Sequence, residues 1–126
     1  MDDIDRKRDS LLKLSHQLGR EDRGWAILGE GTTSTRIDAE AFLIKASGCN
    51  LGSLTKNDLV ACRSLPLVSF LDRKKASDQE VEGALYASRV EEGAKKPSVE
   101  TLFHAYLLSL PGIEFVGHTH APSVNQ

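Results

Sequence analysis

Residues 99–110 carry the strongest helical pattern of this sequence. Large apolar side chains recur there at helical spacing, on Val99, Leu102, Phe103, Tyr106, Leu107 and Leu110. Steps of three and four residues place them along one stripe, which is typical of a helix that packs one face on a core. Pro111 and Gly112 end this helix, and the following IEFVGHTH is typical of a β-strand. A helix followed closely by a strand indicates a fold that layers helices on a sheet.

Two further helices are predicted upstream. Residues 3–18 place their apolar side chains on one stripe and are followed by Gly19, which can end a helix. Residues 77–90 begin with a capping box, because Ser77 precedes Glu80 by three residues. The chain is therefore expected to carry these two helices in addition to the one near its end.

Short extended patterns lie between the helices. Strands are predicted at residues 25–28, in TTSTR, in AFLIKASG and at residues 58–62, whereas SLPLVSFLD stays ambiguous because Pro66 interrupts it. Strands and helices are mixed and mostly joined by short loops, which favours an α/β or α+β fold with a mixed sheet. A length of 126 residues is typical of one domain, expected to span residues 1–126.

Composition argues against several classes of protein. The net charge of −2 provides no basic field to attract nucleic acid or an anionic membrane. The two cysteines, Cys49 and Cys62, have no metal-type spacing, so a reducing compartment is expected. No stretch approaches the roughly 18 apolar residues of a spanning helix, and the N-terminus has no apolar signal core. The sequence therefore predicts a cytoplasmic protein.

His118 and His120, near the end of the last predicted strand, are candidate metal ligands. Residues i and i+2 of a strand project from the same face, so both imidazoles can reach one cation. Zn²⁺ is the leading candidate, and another divalent metal is possible. The alternative is a pair of half-exposed polar residues at a strand end. A catalytic zinc usually has three protein ligands, and the further candidates are His16, His104 and acidic residues.

Ser98 and Glu100 stand where the C-terminal helix is expected to begin. Ser98 is a good N-cap, and free backbone N–H groups at a helix start can bind an anion. Glu100 falls in the expected first turn, so it is either an ordinary helix-start acid or a functional carboxylate. His104 shares a helical face with Glu100 and, taken alone, is expected to be hydrogen-bonded and half-buried rather than a ligand.

Two loops that combine glycine with hydroxyl side chains are candidates for phosphate binding. GEGTTS contains Gly31 and Thr32, and KASG ends a predicted strand with Ser47 and Gly48. Backbone N–H groups in such turns can face an oxyanion. Neither loop is a Walker loop or a G-x-G-x-x-G fingerprint, so each alone could be an ordinary turn.

Together these motifs resemble the class II aldolase/adducin family. The matching segments are GEGTTSTR (29–36), FLIKASG (42–48), LTKNDLV (54–60) and KKPSVETLFHAYLLSLPGIEFVGHTH (95–120). The resemblance covers roughly residues 8 to 126. It implies an α/β/α three-layer sandwich with a mostly antiparallel central sheet. It also implies a homo-oligomer, commonly a tetramer with sites at subunit interfaces.

The resemblance further implies roles for individual residues. His118 and His120 match two of three zinc histidines, and Glu100 matches an acid/base glutamate that also approaches the metal. The residues that match the family's phosphate pocket are Gly31, Thr32, Ser47, Gly48 and Ser98.

The activity implied is a zinc-dependent retro-aldol cleavage of a ketose 1-phosphate. The zinc would act as a Lewis acid on the enediolate, while Glu100 would move the proton. An epimerase or a dehydratase of the same family remains an alternative, because these enzymes share the metal and a related carbanion chemistry. A non-catalytic, adducin-like assembly module is the other alternative. The sequence does not name the sugar.

Three features depart from the family pattern. Thr32 stands where asparagine is usual, and Val99 stands where a second serine or threonine is frequent. The third zinc histidine normally lies well beyond the H-T-H strand, whereas this sequence ends at Gln126. The chain is therefore expected to be the N-terminal part of such a domain and to be inactive or impaired alone. It is also expected to leave apolar surface uncovered.

Overall fold

The computed structural model of the protein describes residues 3–18, 31–72 and 75–118. The strand expected at residues 25–28 lies outside these ranges, and so does His120. Of His118, at the end of the last range, only the backbone is described. Each helix within these ranges is too short or too polar to cross a bilayer.

The described residues form four α-helices, α1 Asp3–Leu18, α2 Ser64–Phe70, α3 Asp78–Ser88 and α4 Thr101–Leu108. Helices α1 and α3 confirm the helices expected at 3–18 and 77–90, and Ser77 forms the expected capping box with Glu80. Helix α2 resolves the ambiguous SLPLVSFLD run. Pro66 is its third residue, where proline is tolerated because first-turn N–H groups lack helical partners anyway.

The described strands are β1 Thr32–Arg36, β2 Ala41–Lys45, β3 Leu59–Arg63 and β4 Phe115–His118. They pair in the order β3-β2-β1-β4, and every one of these pairings is antiparallel. In this part of the chain the sheet is therefore antiparallel rather than mixed, as the family resemblance implies. In the pairing of β1 with β4, the backbone of His118 lies opposite Thr32.

Neighbouring residues of β1 show that helices cover both faces of the sheet. Thr33 Oγ1 shares a 2.6 Å hydrogen bond with Ser15 Oγ of α1. Ser34 Oγ shares a 2.6 Å hydrogen bond with Nδ1 of His104 in α4. Because successive strand residues point to opposite faces, α1 and α4 lie on opposite sides of the sheet. This arrangement confirms the expected α/β/α layers.

Strand β1 buries hydroxyl side chains where a core strand usually buries apolar ones. Thr32, Thr33, Ser34 and Thr35 are all almost inaccessible to solvent. Burying a hydroxyl without a hydrogen bond costs roughly 1–3 kcal/mol, so each one needs a partner. The bonds to Ser15 and His104 therefore help to fix which residues of α1 and α4 face the sheet.

The apolar core lies between strands β2 and β3 and the three helices α2, α3 and α4. Its members are Phe42, Ile44, Ala46, Val60, Cys62, Leu67, Leu85, Ala105 and Leu108. Phe42 and Cys62 are register partners on the two strands. One cluster thus holds both strands and all three helices together.

The face of helix α4 that packs against the sheet is not the apolar stripe that the sequence predicts. Its buried residues are Thr101, His104, Ala105 and Leu108. Phe103 is 69% exposed, and Tyr106 and Leu107 are also exposed. The expectation was wrong because the buried hydroxyls of β1 need the polar partner His104, which periodicity does not take into account. Most of the stripe instead forms an apolar surface, whereas Leu102 packs against the core.

Candidate active site

Thr32 and Ser98, predicted from separate motifs, meet in the structure. Their hydroxyl oxygens lie 3.1 Å apart and share a hydrogen bond, although 66 residues separate them in sequence. Both residues are buried. The pairing joins the start of β1 to the turn before α4, so the two motifs form one site.

The end of β2 holds the same turn through its backbone. Ser98 N–H donates to the carbonyl of Lys45 at 3.2 Å, and Ser47 N–H donates to the carbonyl of Lys96 at 2.8 Å. Ala46 and Pro97 form a β-bridge between these two bonds. The KASG loop therefore lies directly beside Ser98, as a shared phosphate pocket requires.

The Ser47–Gly48 turn offers a phosphate fewer backbone groups than the sequence predicts. The Ser47 N–H is already engaged with Lys96, so this residue can contribute its exposed hydroxyl rather than its amide. Gly48 has a φ of 81°, a left-handed conformation that favours glycine and turns the chain sharply after β2. Gly31, beside Thr32, also has a positive φ, of 95°.

Glu100 occupies the N-cap position of helix α4 instead of lying in its first turn, and its side chain makes no capping hydrogen bond. The helix begins at Thr101, so Ser98 is not its N-cap as expected, but lies two residues before the cap. Ser98 Oγ accepts the Glu100 N–H at 3.4 Å, and the Ser98 carbonyl accepts the Thr101 N–H at 3.0 Å. The Oε2 oxygen of Glu100 is buried. The serine hydroxyl and the carboxylate therefore belong to one ordered turn.

The candidate metal histidines are only partly covered by the structure. In the pairing of β1 with β4, the backbone of His118 lies opposite Thr32. Thr32 is hydrogen-bonded to Ser98, so the His118 backbone lies at the same end of the sheet as this pair. The His118 side chain and all of His120 lie outside the described residues. Among the side chains that are described, no three His, Cys, Asp or Glu groups converge on a point.

The other two histidines take part in the fold. His104 is fully buried, more than expected, and is hydrogen-bonded to Ser34 as predicted. His16 Nε2 donates to the carbonyl of Leu54 at 2.8 Å. Both imidazoles therefore have structural partners.

A cavity of about 330 Å³ lies between α4 and β4. Its lining residues are Glu100, Phe103, His104, Leu107, Val116 and Gly117. Glu100 and His104 are its ionisable groups, and Gly117 directly precedes His118. A small ligand could therefore contact the Glu100 carboxylate from a partly apolar pocket.

Lys45 is a residue near this site that the sequence motifs did not predict. It is only 2% exposed, and its Nζ donates to the Cys49 carbonyl at 2.5 Å. Burial lowers the pKa of Lys45, and the nearby Cys49 and Glu100 act in the opposite direction. The sequence feature that could have pointed to Lys45 is its place at the end of AFLIK, a strand whose other residues are apolar.

A charged pair holds the far side of the KASG turn. Lys95 Nζ donates to Asp58 Oδ1 at 2.9 Å, while Asp58 Oδ2 accepts the N–H and hydroxyl of Thr55. Lys95 and Thr55 together hold the pKa of Asp58 well below its usual range. Burial and the Asp58 carboxyl raise the pKa of the Cys49 thiol. The turn is thus anchored through Cys49.

Asp58 predicts a loss of stability in acid. A carboxyl with a lowered pKa stabilises the folded state above its unfolded pKa of about 3.9, and this contribution disappears as the pH falls below that value. Lys95 of this pair is exposed to solvent, so we expect this contribution to be small. The advantage of wild type over Asp58→Asn in unfolding free energy should therefore shrink between pH 5 and pH 2. An advantage that is constant across this range would contradict the assignment.

The comparisons with known proteins agree with this geometry. Residues 9–125 match the Class II Aldolase and Adducin N-terminal domain, so the chain belongs to the class II aldolase and adducin family. It is similar to methylthioribulose-1-phosphate dehydratase of Bradyrhizobium sp. (strain BTAi1), with 36% identity over 90 residues. That match covers 70% of this chain and 36% of the dehydratase.

Two solved structures show the same fold. The N-terminal class II aldolase domain of a conserved Thermoplasma acidophilum protein superposes with a TM-score of 0.77 at 28% identity, covering 90% of this chain and 55% of that one. L-fuculose-1-phosphate aldolase of Thermus thermophilus gives 0.56 at 23% identity, covering 90% and 47%. The chain therefore spans about half the length of these structures.

Proposed function

We propose that the protein is a divalent-metal-dependent lyase that acts on a sugar phosphate, with zinc as the expected metal. The reaction we propose first is retro-aldol cleavage of a ketose 1-phosphate. The observation that carries the proposal is the 3.1 Å pairing of Thr32 with Ser98 beside Glu100. It supports a site in which phosphate-binding hydroxyls and a carboxylate share one turn.

The phosphate is the substrate group that this site is best suited to hold. The hydroxyls of Thr32, Ser47 and Ser98 and the amide of Gly48 can donate to its oxygens. Gly31 and Gly48 allow the backbone to turn closely around it. Holding the phosphate there fixes the sugar carbons relative to Glu100, which is the positional part of catalysis.

The donor chemistry fits a divalent metal at the adjoining strand end. We propose His118 and His120 as ligands, with Glu100 close to the metal, because imidazoles and carboxylates are the ligands that zinc takes. When bound, such an ion supplies Lewis-acid stabilisation of negative charge on substrate oxygens. Glu100, whose Oε2 oxygen is buried, would accept and return the proton.

Dehydration is the second candidate reaction. It is favoured by the 36% identity to methylthioribulose-1-phosphate dehydratase. The same phosphate pocket, metal and carboxylate would serve it: retro-aldol cleavage removes a hydroxyl proton and breaks a C–C bond, whereas dehydration removes a C–H proton next to the carbonyl and expels a hydroxyl group as water. Epimerisation and a non-catalytic, adducin-like role in protein assembly are the remaining alternatives.

We further propose that the protein is cytoplasmic and forms a homo-oligomer, expected to be a tetramer. Light scattering would measure the mass of this oligomer.

A turnover assay tests the proposal. The metal-loaded protein, in its full-length form, should convert fuculose 1-phosphate to an aldehyde and dihydroxyacetone phosphate, or methylthioribulose 1-phosphate to its dehydrated product. Chelation should stop the reaction, and the unphosphorylated sugars should not react appreciably. If no ketose phosphate is cleaved, dehydrated or epimerised with metal present, the enzyme proposal is wrong and the assembly role gains support.

The hydroxyl pair predicts a loss of substrate affinity. Thr32→Val and Ser98→Ala should each raise KM about tenfold or more, because each removes a hydrogen bond to a charged phosphate. Since the two hydroxyls contact each other, the double variant should lose less than the product of the single losses. Ser53→Ala, at an exposed serine, is the control that should leave KM unchanged. Unchanged KM in both single variants would contradict the phosphate pocket.

A further inference from the structure

A cavity of about 580 Å³ lies on the outer side of α3. Its walls come from the end of β3, from α3 itself and from the loop that follows α3. Among the described residues, its lining shares no member with that of the cavity beside Glu100. Its volume is within the range of small-molecule sites in proteins. The fold therefore offers a small ligand a place apart from the proposed sugar-phosphate site.

The exposed face of α3 forms the floor of this cavity. Gly83, Tyr86 and Ala87 line it, together with Val90, two residues after the helix ends. Tyr86 and Ala87 follow Gly83 by three and four residues, so the three share one helical face. Leu85, by contrast, is buried in the apolar core. Tyr86 and Val90 are large apolar side chains exposed to solvent, so this floor can cover the apolar part of a ligand.

The packing of the described residues does not require a glycine at position 83. Gly83 lies inside α3, where glycine is less favourable than alanine. A Cβ atom at this position would meet nothing within 4 Å, so there is room for a larger side chain. Glycine does, however, leave the helix backbone bare at the floor of the cavity, which allows a ligand to approach closely. The residue at this position therefore favours an occupied cavity.

Two arginines line the cavity, and neither forms an ion pair in the described part of the chain. Arg63, the last residue of β3, is exposed, and its side chain makes no capping bond to α2. Arg89 Nε donates to the carbonyl of Tyr86 at 2.9 Å, and its Nη1 donates to the carbonyl of Ala94. The Arg89 guanidinium carbon lies 4.8 Å from the centre of the Tyr86 ring. All these partners are neutral, so Arg89 is held in place while its charge stays available to an anion.

The topology brings the two arginines to the same cavity. Arg63 directly follows Cys62, whose β-bridge partner is Arg89. Glu92 is the acidic residue of the lining, so two positive charges accompany one negative charge. The planar guanidinium group matches the two oxygens of a carboxylate. With a single positive charge in excess, the lining suits a monocarboxylate better than a phosphate monoester, which carries more negative charge at neutral pH.

We propose that this cavity binds a small monocarboxylate with an apolar body. Arg63 and Arg89 pair with the carboxylate, while Tyr86 and Val90 cover the apolar body. Gly83 lets that body lie against the helix backbone. The site goes beyond the proposed function, because it uses none of the residues assigned there to the phosphate, the metal or the proton.

Calorimetric titration of the full chain with benzoate and with butyrate tests this site. Both monocarboxylates should bind at one site per chain, and benzoate should bind more tightly because its ring contacts Tyr86. Benzamide has the same ring without the charge and should bind about tenfold more weakly or worse. Saturating inorganic phosphate should leave the Kd of benzoate unchanged. In the NMR spectrum, benzoate should shift the backbone amide resonances of Gly83 and Ala87.

Three variants separate the carboxylate contact from general effects. Arg63→Gln should raise the Kd of benzoate about tenfold or more, because it removes hydrogen bonds to a charged group. Gly83→Leu should also weaken benzoate binding, yet it should raise the Tm because leucine favours a helix more than glycine does. A merely structural effect would not move affinity and stability in opposite directions. Lys13→Gln, at an exposed lysine of α1, is the matched control and should bind benzoate as wild type does.

Several results would overturn the proposal. These are the absence of binding for both carboxylates, equal affinity for benzamide and benzoate, and an unchanged Kd of benzoate in Arg63→Gln. Competition between benzoate and inorganic phosphate would place the carboxylate in the phosphate pocket and would overturn a separate site as well. If Arg63→Gln does not fold, Arg89→Lys keeps the charge but loses the planar group, and it should weaken benzoate binding in the same way. Amide resonances of Gly83 and Ala87 that do not move at saturating benzoate would contradict the site in wild type.

Discussion

Glu100→Gln should lower kcat about 10²- to 10⁴-fold while phosphate affinity stays close to that of wild type. Glutamine keeps the size of the side chain and one carbonyl oxygen, but it cannot accept and return a proton. The backbone bond from Glu100 N–H to Ser98 Oγ does not depend on the side chain, so the turn should persist. Steady-state kinetics with a ketose phosphate and a phosphate-binding titration would measure the two effects separately.

Glu92→Gln is the matched control for this substitution. Glu92 is exposed in the loop after α3, so the change should leave kcat and KM unaltered. A Glu100→Gln protein that keeps more than half of its kcat would show that Glu100 does not move the proton. A protein that instead loses phosphate affinity and keeps kcat would give Glu100 a structural role in the turn before α4.

Phe42→Ala should lower the free energy of unfolding by about 3–5 kcal/mol. Phe42 is fully buried in the cluster that joins β2 and β3 to the three helices on that face. Removing its ring leaves a cavity that the surrounding strands and helices can fill only in part. Domains of this size are stable by about 5–15 kcal/mol, so the loss is a large fraction of the total. Urea-induced unfolding followed by circular dichroism would measure it.

Phe103→Ala provides the control with the same change of side chain. Phe103 lies on the apolar stripe of α4 and is 69% exposed, so its removal should cost less than about 1 kcal/mol in the described arrangement. Equal losses for the two phenylalanines would mean that the stripe is covered by something in solution. That result would contradict the assignment of the outer face of α4 to solvent.

The sequence predicted the elements whose signals are local. The capping box of Ser77 and Glu80 formed as expected, because it depends on residues only three apart. The orientation of α4 could not be predicted in this way, because it depends on a hydrogen bond between Ser34 and His104, which are 70 residues apart. An apolar stripe identifies a helix, but which face is buried also depends on what the opposing strand requires.

In the candidate site, too, local motifs were predicted from the sequence, whereas features that depend on long-range contacts were not. The hydroxyl and glycine motifs marked Thr32, Ser47 and Ser98, and the structure brings these residues together. The start of α4 was misplaced by two residues, because Ser98 accepts hydrogen bonds in a turn that precedes the helix proper. Lys45 was missed because its importance comes from burial and from a contact with Cys49, and neither is visible in a motif.

Metal content tests the central claim most directly. The purified full-length protein, dialysed against metal-free buffer, should retain a divalent metal, expected to be zinc, in stoichiometric amount by elemental analysis. His118→Ala and His120→Ala should each lose most of it, whereas His16→Ala should retain it because His16 bonds the Leu54 carbonyl. A wild-type protein without bound metal, or equal metal in all four proteins, would contradict a metal-dependent sugar-phosphate lyase.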